Sequence, residues 1–190
     1  MTPYIILVGG IPASGKTTYG RHIAHKLRVP FIGKDDIKEK LHDVLQYDTS
    51  AEENSKLHGR AAYKVFYHVA ESLMKSGTSF VAESNFPPFS AEILRPMVEN
   101  YGYRALTVLL DADMEVLYMR CCQRDTTSER HPGLAGKFGP QYDFTAFCQE
   151  MSPIKDFCVG EKMVFDTTDF AKVDYNEIDA RIIGFIGGKI

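Results

Sequence analysis

The sequence has no apolar stretch long enough to span a membrane. Its longest early run, Ile5-Ile6-Leu7-Val8, stops at Gly9-Gly10, and Met1-Thr2-Pro3-Tyr4 before it lacks the basic residues of a leader. A cytoplasmic protein with no membrane partner is expected. Excess charge of one sign is also missing. Against 25 Asp and Glu stand 22 Lys and Arg, a formal net charge of −3, which removes the global electrostatic case for a general nucleic-acid coat protein and leaves room only for a local basic groove. Cysteine is scarce: there are four, none in a CxxC pair, and adjacent Cys121 and Cys122 cannot readily bridge each other. Reduced thiols are expected rather than a disulfide framework or metal centre. Internal repeats and low-complexity linkers are absent. What remains is 190 residues, 44% hydrophobic and 25% charged, enough for one globular domain with a real core.

The pattern along the chain alternates between strand and helix. Tyr4 to Val8 reads as a strand buried on both faces of a parallel sheet, followed by a helix from Lys16 to Leu27. Pro30-Phe31-Ile32 is a short second strand, and the spacing of Ile37, Leu41 and Val44 predicts a helix over Asp35 to Leu45. Between Glu52 and Lys75, Leu57, Ala61, Val65, Val69 and Leu73 recur every four residues, predicting a long amphipathic helix with these residues toward the core, closed by Gly77. Further strands are expected at Ser79 to Ala82, Ala105 to Leu110 and Met163 to Phe165. Five strands alternating with helices imply right-handed crossovers and a three-layer α/β/α fold with a parallel sheet. The stretch from His131 to Tyr142, rich in Gly and Pro, reads as a mobile loop forming part of a lid.

The strongest chemical signal is Gly10-Ile11-Pro12-Ala13-Ser14-Gly15-Lys16-Thr17, which fits GxxxxGK[ST] between a predicted strand and a predicted helix. The glycines let successive N–H groups turn inward, and the positive end of the following helix completes an anion cradle. Lys16 is then expected on the β- and γ-phosphates of ATP, and the Thr17 hydroxyl on Mg²⁺. Neighbouring Thr18 is a candidate nucleotide contact, or simply a residue of the helix.

The cradle alone does not identify a phosphoryl acceptor. Lys34-Asp35-Asp36-Ile37-Lys38 places two carboxylates where the second strand ends, the position at which open α/β sheets hold ligands. Asp35 is either a general base for an acceptor hydroxyl or the cap of the next helix. For the acid that supports Mg²⁺, Glu83 at the end of the third strand competes with Asp111. Glu83 is favoured because Asp111 and Asp113 also suit turn and N-cap duty before the helix containing Val116, Leu117 and Met119. Arg120 and Arg124 share a helix face, and Arg130 follows before His131-Pro132-Gly133. The three are candidates to close over the transferred phosphoryl in a lid of about residues 120–142, or form a solvated basic face. His131 reads first as a structural loop histidine.

Together these stretches resemble the P-loop kinases of the AAA_33 or zeta-toxin-like group, relatives of polynucleotide kinase and chloramphenicol phosphotransferase within the adenylate-kinase-like fold. Gly10 to Thr17 is similar to their Walker A. Lys34 to Lys38 resembles their strand-two acid with a basic residue three positions on, here Lys where Arg is common. Val81-Ala82-Glu83-Ser84-Asn85-Phe86 resembles their third-strand acid and trailing Asn, with Glu in place of the usual Asp. Arg120 through Gly133 is similar to their lid, and Phe165-Asp166-Thr167-Thr168 to their last strand and the loop bordering adenine. The resemblance implies sheet order 2-3-1-4-5, Asp35 as acceptor base and the lid arginines as stabilisers of the phosphoryl group. It implies no antitoxin-like partner by itself. The expected activity is transfer of the γ-phosphoryl of ATP, with Mg²⁺, to a hydroxyl of a small molecule. A 5′-hydroxyl polynucleotide or nucleoside kinase is the alternative, less favoured by the net charge, and an NTP-binding switch is the rival from another class.

Overall fold

The computed structural model describes residues 2–48, 52–127, 130–135, 137–139 and 141–187. Its centre is β1 (Tyr4–Gly9), whose Ile5, Ile6, Leu7 and Val8 have no solvent exposure at all. Side chains alternate across a strand, so Ile5 and Leu7 enter one apolar cluster while Ile6 and Val8 enter another on the opposite face. That double burial explains why the strand reads as a continuous apolar run.

The remaining elements follow in order: α1 (Lys16–Leu27), β2 (Phe31–Gly33), α2 (Lys34–Leu45), α3 (Glu52–Lys75), β3 (Phe80–Glu83), α4 (Phe89–Asn100), β4 (Arg104–Asp111), α5 (Met114–Asp125), α6 (Phe144–Met151), β5 (Glu161–Asp166) and α7 (Tyr175–Ile186). All sheet pairings are parallel, in the order β2-β3-β1-β4-β5 expected from the resemblance. Residues of α3 and α4 pack on one face of the sheet and residues of α1 and α7 on the other, giving the three layers. A third cluster joins Ile11 of the first loop to Leu117 of α5, Phe147 of α6 and Phe138. Among the described residues no helix is long and apolar enough to cross a membrane.

Two local expectations are corrected. Helix α3 has the anticipated bounds, but its buried face is Ala62, Phe66, Tyr67, Ala70 and Met74, while Leu57 and Val65 are 53% and 42% exposed. Asp35 does not cap α2: the N-cap is Gly33, and Asp35 lies inside the first turn. Within the expected lid, one contact is well defined. Phe138 is buried, and its N–H donates to Asp125 Oδ2 at 2.8 Å. Asp113 does cap α5, accepting from the N–H groups of Glu115 and Val116.

Helix α7 is tied to α1 through Asp179, whose side chain is 2% exposed. Asp179 accepts hydrogen bonds from the Tyr19 hydroxyl and the Lys26 ammonium, each at 2.8 Å, and His22 Nε2 lies at 2.8 Å as well. Burial pushes this carboxyl up, but the bonds from Lys26, His22 and Tyr19 outweigh it and leave it below its ordinary value. Asp179→Asn is therefore expected to cost about 2 kcal/mol in urea unfolding at neutral pH. A carboxyl depressed by folding stabilises above its unfolded pKa and loses that contribution as pH falls through its folded value. The gap between parent and variant should accordingly narrow below about pH 4, and a gap that persists unchanged there would remove the charge from this account.

Candidate active site

The P-loop grows directly out of the sheet. After Gly9 the chain turns through Gly10 at φ 149° and Ala13 at φ 67° to Gly15 at φ 89°, which serves as the N-cap of α1. Only glycine fits at two of these positions. A Cβ on Gly10 would stand 2.4 Å from the Leu110 carbonyl oxygen, and one on Gly15 would stand 3.0 Å from the Phe170 ring. Ser14 is buried, and its hydroxyl has no hydrogen-bond partner among the described residues. The Cys121 thiol donates to the Pro12 carbonyl at 3.3 Å from beneath the loop, and burial pushes that thiol up to about 11.

Lys16, 5% exposed, lies 3.8 Å from Glu83 Oε1, and the Thr17 hydroxyl donates to Glu83 Oε2 at 3.1 Å. Burial drives this pair toward neutrality, lowering the Lys16 ammonium and raising the Glu83 carboxyl, while each resists the other's shift by its own charge. A hydroxyl and a carboxylate so placed form an oxygen donor set of the kind that suits Mg²⁺. The competing acid is already engaged: Asp111 forms an ion pair with Lys155 at 2.7 Å.

Asp35 reaches the same place from α2. It pairs with Lys34 and lines, with Lys16, Thr17, Asn85, Arg124 and Arg130, a cavity of about 780 Å³. Burial raises its carboxyl, yet the charges of Lys34 and Lys16 prevail and hold it at about 2. Lys34 in turn sits over the Tyr63 ring at 5.3 Å.

The three arginines line two cavities that share Arg124. Arg124 and Arg130 face the cavity with Lys16. Arg130 is fixed by Asp125 at 2.5 Å and donates to the Leu134 carbonyl, whereas Arg124 Nε is buried with no acceptor among the described residues. Arg120 points away, donating to the carbonyls of Thr167 and Thr168 at 3.0 and 2.8 Å with its guanidinium 3.9 Å over Phe170. Arg120 and Phe170 wall a second cavity of about 340 Å³ together with Lys16, Arg124, Gly15, Thr17 and exposed Thr18. Arg120 and Arg124 thus share the wall of the smaller cavity, while the carbonyls of the loop after β5 hold Arg120 out of the larger one. His131 is held at both ring nitrogens: its Nδ1 accepts from the Gly133 N–H, and its Nε2 lies 2.8 Å from Asp43 of α2. Sequence reasoning missed Phe170 and Lys137, since neither belongs to a motif.

The AAA domain family model, AAA_33, matches residues 5–134. Two curated relatives align with the chain: a cytidylate kinase of Pyrobaculum calidifontis, 29% identical over 129 residues, 65% of this chain and 62% of that one, and a shikimate kinase of Ruegeria pomeroyi, 28% identical over 121 residues, 64% of this chain and 58% of that one. The chain thus spans about six tenths of the length of the curated relatives it matches. Among solved structures, a candidate kinase from Chloroflexus aurantiacus is 28% identical with a TM-score of 0.81, covering 97% of this chain and 98% of that one. A shikimate kinase from Bacteroides thetaiotaomicron, 18% identical with a TM-score of 0.58 over 97% and 99% of the two chains, shares the fold. With a family match running from β1 through the P-loop, Asp35, Glu83 and the arginines, the chain belongs to the AAA_33 family of AAA domains and has the fold of the P-loop kinases.

Proposed function

We propose that the chain is an ATP- and Mg²⁺-dependent kinase that transfers the γ-phosphoryl group to a hydroxyl of a small molecule. The observation that carries this reading is one cavity lined both by Lys16 and Thr17 of the P-loop and by Asp35 of α2, so that donor and acceptor sites open onto each other. The similarity to a cytidylate kinase and a shikimate kinase supports it. On this reading the whole chain is one kinase domain, and the described part of about 120–142 is its lid.

In the reaction, the Gly10 to Gly15 loop and Lys16 hold the phosphates of ATP, and Thr17 with Glu83 would hold Mg²⁺. When bound, that ion neutralises charge developing on the phosphate oxygens. Asp35 accepts a hydrogen bond from the acceptor hydroxyl and orients its oxygen toward the γ-phosphorus. As the new O–P bond forms, the bond from phosphorus to the bridging oxygen of ADP breaks, and the hydroxyl proton passes to Asp35. A carboxyl held near 2 is a weak base, so its main contribution is orientation, with proton transfer late, as the loose phosphoryl-transfer transition state allows. Arg124 and Arg130 stabilise the phosphoryl charge in flight. Arg120 leaves that role and, with Phe170, faces the base of the nucleotide instead.

The reading is tested by measuring ADP formation with Mg²⁺ across pooled hydroxyl compounds, with Lys16→Ala as the inactive control. ATP bound but never consumed in any pool would turn the reading toward a nucleotide-sensing switch. Asp35→Asn is expected to lower transfer on the order of 100-fold with ATP affinity within a few-fold of the parent. Since Asp35 stays ionised at every working pH, the variant should depress the whole pH profile of kcat without moving its acid limb; a displaced limb would refute this account. Gly10→Ala drives a methyl group into the Leu110 carbonyl, so titration calorimetry should detect no nucleotide binding. Binding at parental affinity would show that the loop does not hold nucleotide in this conformation.

A further inference from the structure

Besides Lys16 of the P-loop, the larger cavity is lined by lysines from separate parts of the chain. Lys34 and Lys38 lie one turn apart on α2, Lys56 on α3, and Lys137 on the segment before α6. Around the whole cavity seven cationic side chains meet two carboxylates, Asp35 and Glu150. Lys16, Arg124 and Arg130 are accounted for by the phosphates of ATP, but Lys34, Lys38 and Lys137 still outnumber the two acids. Moreover, both acids are already engaged, Asp35 by Lys34, and Glu150 by Lys137 and by the Tyr142 hydroxyl at 2.6 Å.

Lys38 is the least compensated of these groups. Its ammonium donates to the Ser55 hydroxyl at 3.3 Å and has no carboxylate at ion-pair distance among the described residues. Burial, then Lys34, Lys137 and Arg130, push its proton off, opposed by Asp35. Holding like charges together in a partly buried cavity costs free energy that a bound anion recovers. A second, independent feature faces the same space: Asn85 lines the cavity, and its buried Oδ1 has no donor among the described residues. An orphaned acceptor of this kind is satisfied by a ligand hydroxyl.

We propose that the phosphoryl acceptor is itself an anionic alcohol, a small polyhydroxy compound carrying a phosphate ester or carboxylate. Lys38 and Lys137 hold that anionic group, Asn85 takes a second hydroxyl, and the reacting hydroxyl lies against Asp35. The proposal rests on the kinase reading above and narrows its acceptor.

The test begins with protein saturated with Mg²⁺ and a non-hydrolysable ATP analogue, so that the P-loop is filled, and titrates it calorimetrically with inorganic phosphate and with malonate. One anion site is expected, weakening as salt rises. Lys38→Gln and Lys137→Gln should each weaken it about tenfold, with the affinity for the ATP analogue within about twofold of the parent. If neither anion binds while the analogue does, the anion site is overturned and the kinase reading stands. If the analogue itself fails to bind, the kinase reading falls and takes this inference with it. The turnover arm compares ribose 5-phosphate with ribose, and gluconate with glucose. Consumption favouring the phosphate ester or the carboxylate identifies which anionic group is used, whereas preference for the neutral parents overturns the proposal. A 5′-hydroxyl trinucleotide that outcompetes the small anions would overturn it in favour of a nucleic-acid end.

Discussion

The site depends on the register between neighbouring parallel strands. Val8 lies opposite Glu83 across the β1–β3 ladder, and Gly33 lies opposite Glu83 across the β2–β3 ladder. That double registration sets three chain segments at one sheet edge: the loop leaving β1, the carboxylate ending β3, and the start of α2 with Asp35. A slip of one residue would turn Glu83 to the other face and exchange the buried sets of Ile5 and Leu7 with Ile6 and Val8, which the packed helices on both sides forbid. The hydrophobic layers therefore fix the chemistry even though none of their residues takes part in it.

Much of this was legible in the sequence because the signals are local. A buried parallel strand must be apolar at every position, and a phosphate loop must have glycine where backbone or an aromatic ring presses in, so β1 and Gly10 to Thr17 stand out by composition alone. The buried face of α3 was not legible. Steps of four residues advance about 40° beyond a full turn, so stripes offset by one residue differ little in spacing, and residue type has to choose between them. Choosing by aliphatic character pointed to Leu57 and Val65. The sheet face is instead built from Phe66, Tyr67, Ala70 and Met74, with Leu73 of the expected stripe packed at its margin. The absence of Arg120 from the larger cavity was hidden for a different reason: it depends on carbonyls of Thr167 and Thr168, about forty-seven residues downstream.

The overall charge of −3 and the cationic cavity describe different length scales. Acidic side chains spread over the surface offset the total, while interactions beyond a Debye length are screened, so the potential inside a cleft is set by what lines it. Net charge argues against a broad nucleic-acid coat and says little about a small ligand. The same locality explains Asp35. It sits deep enough that burial alone would raise it, yet its neighbours Lys34 and Lys16 keep it ionised.

The bond from Tyr19 to Asp179 links residues 160 positions apart and braces the helix that begins with the P-loop lysine. During synthesis the phosphate loop, Asp35 and Glu83 leave the ribosome long before that brace exists. The loop, Asp35 and Glu83 are thus made before the segment that braces α1. Until α7 docks, the helix that follows the phosphate loop lacks this brace, so the last helix of the fold bears on the first loop.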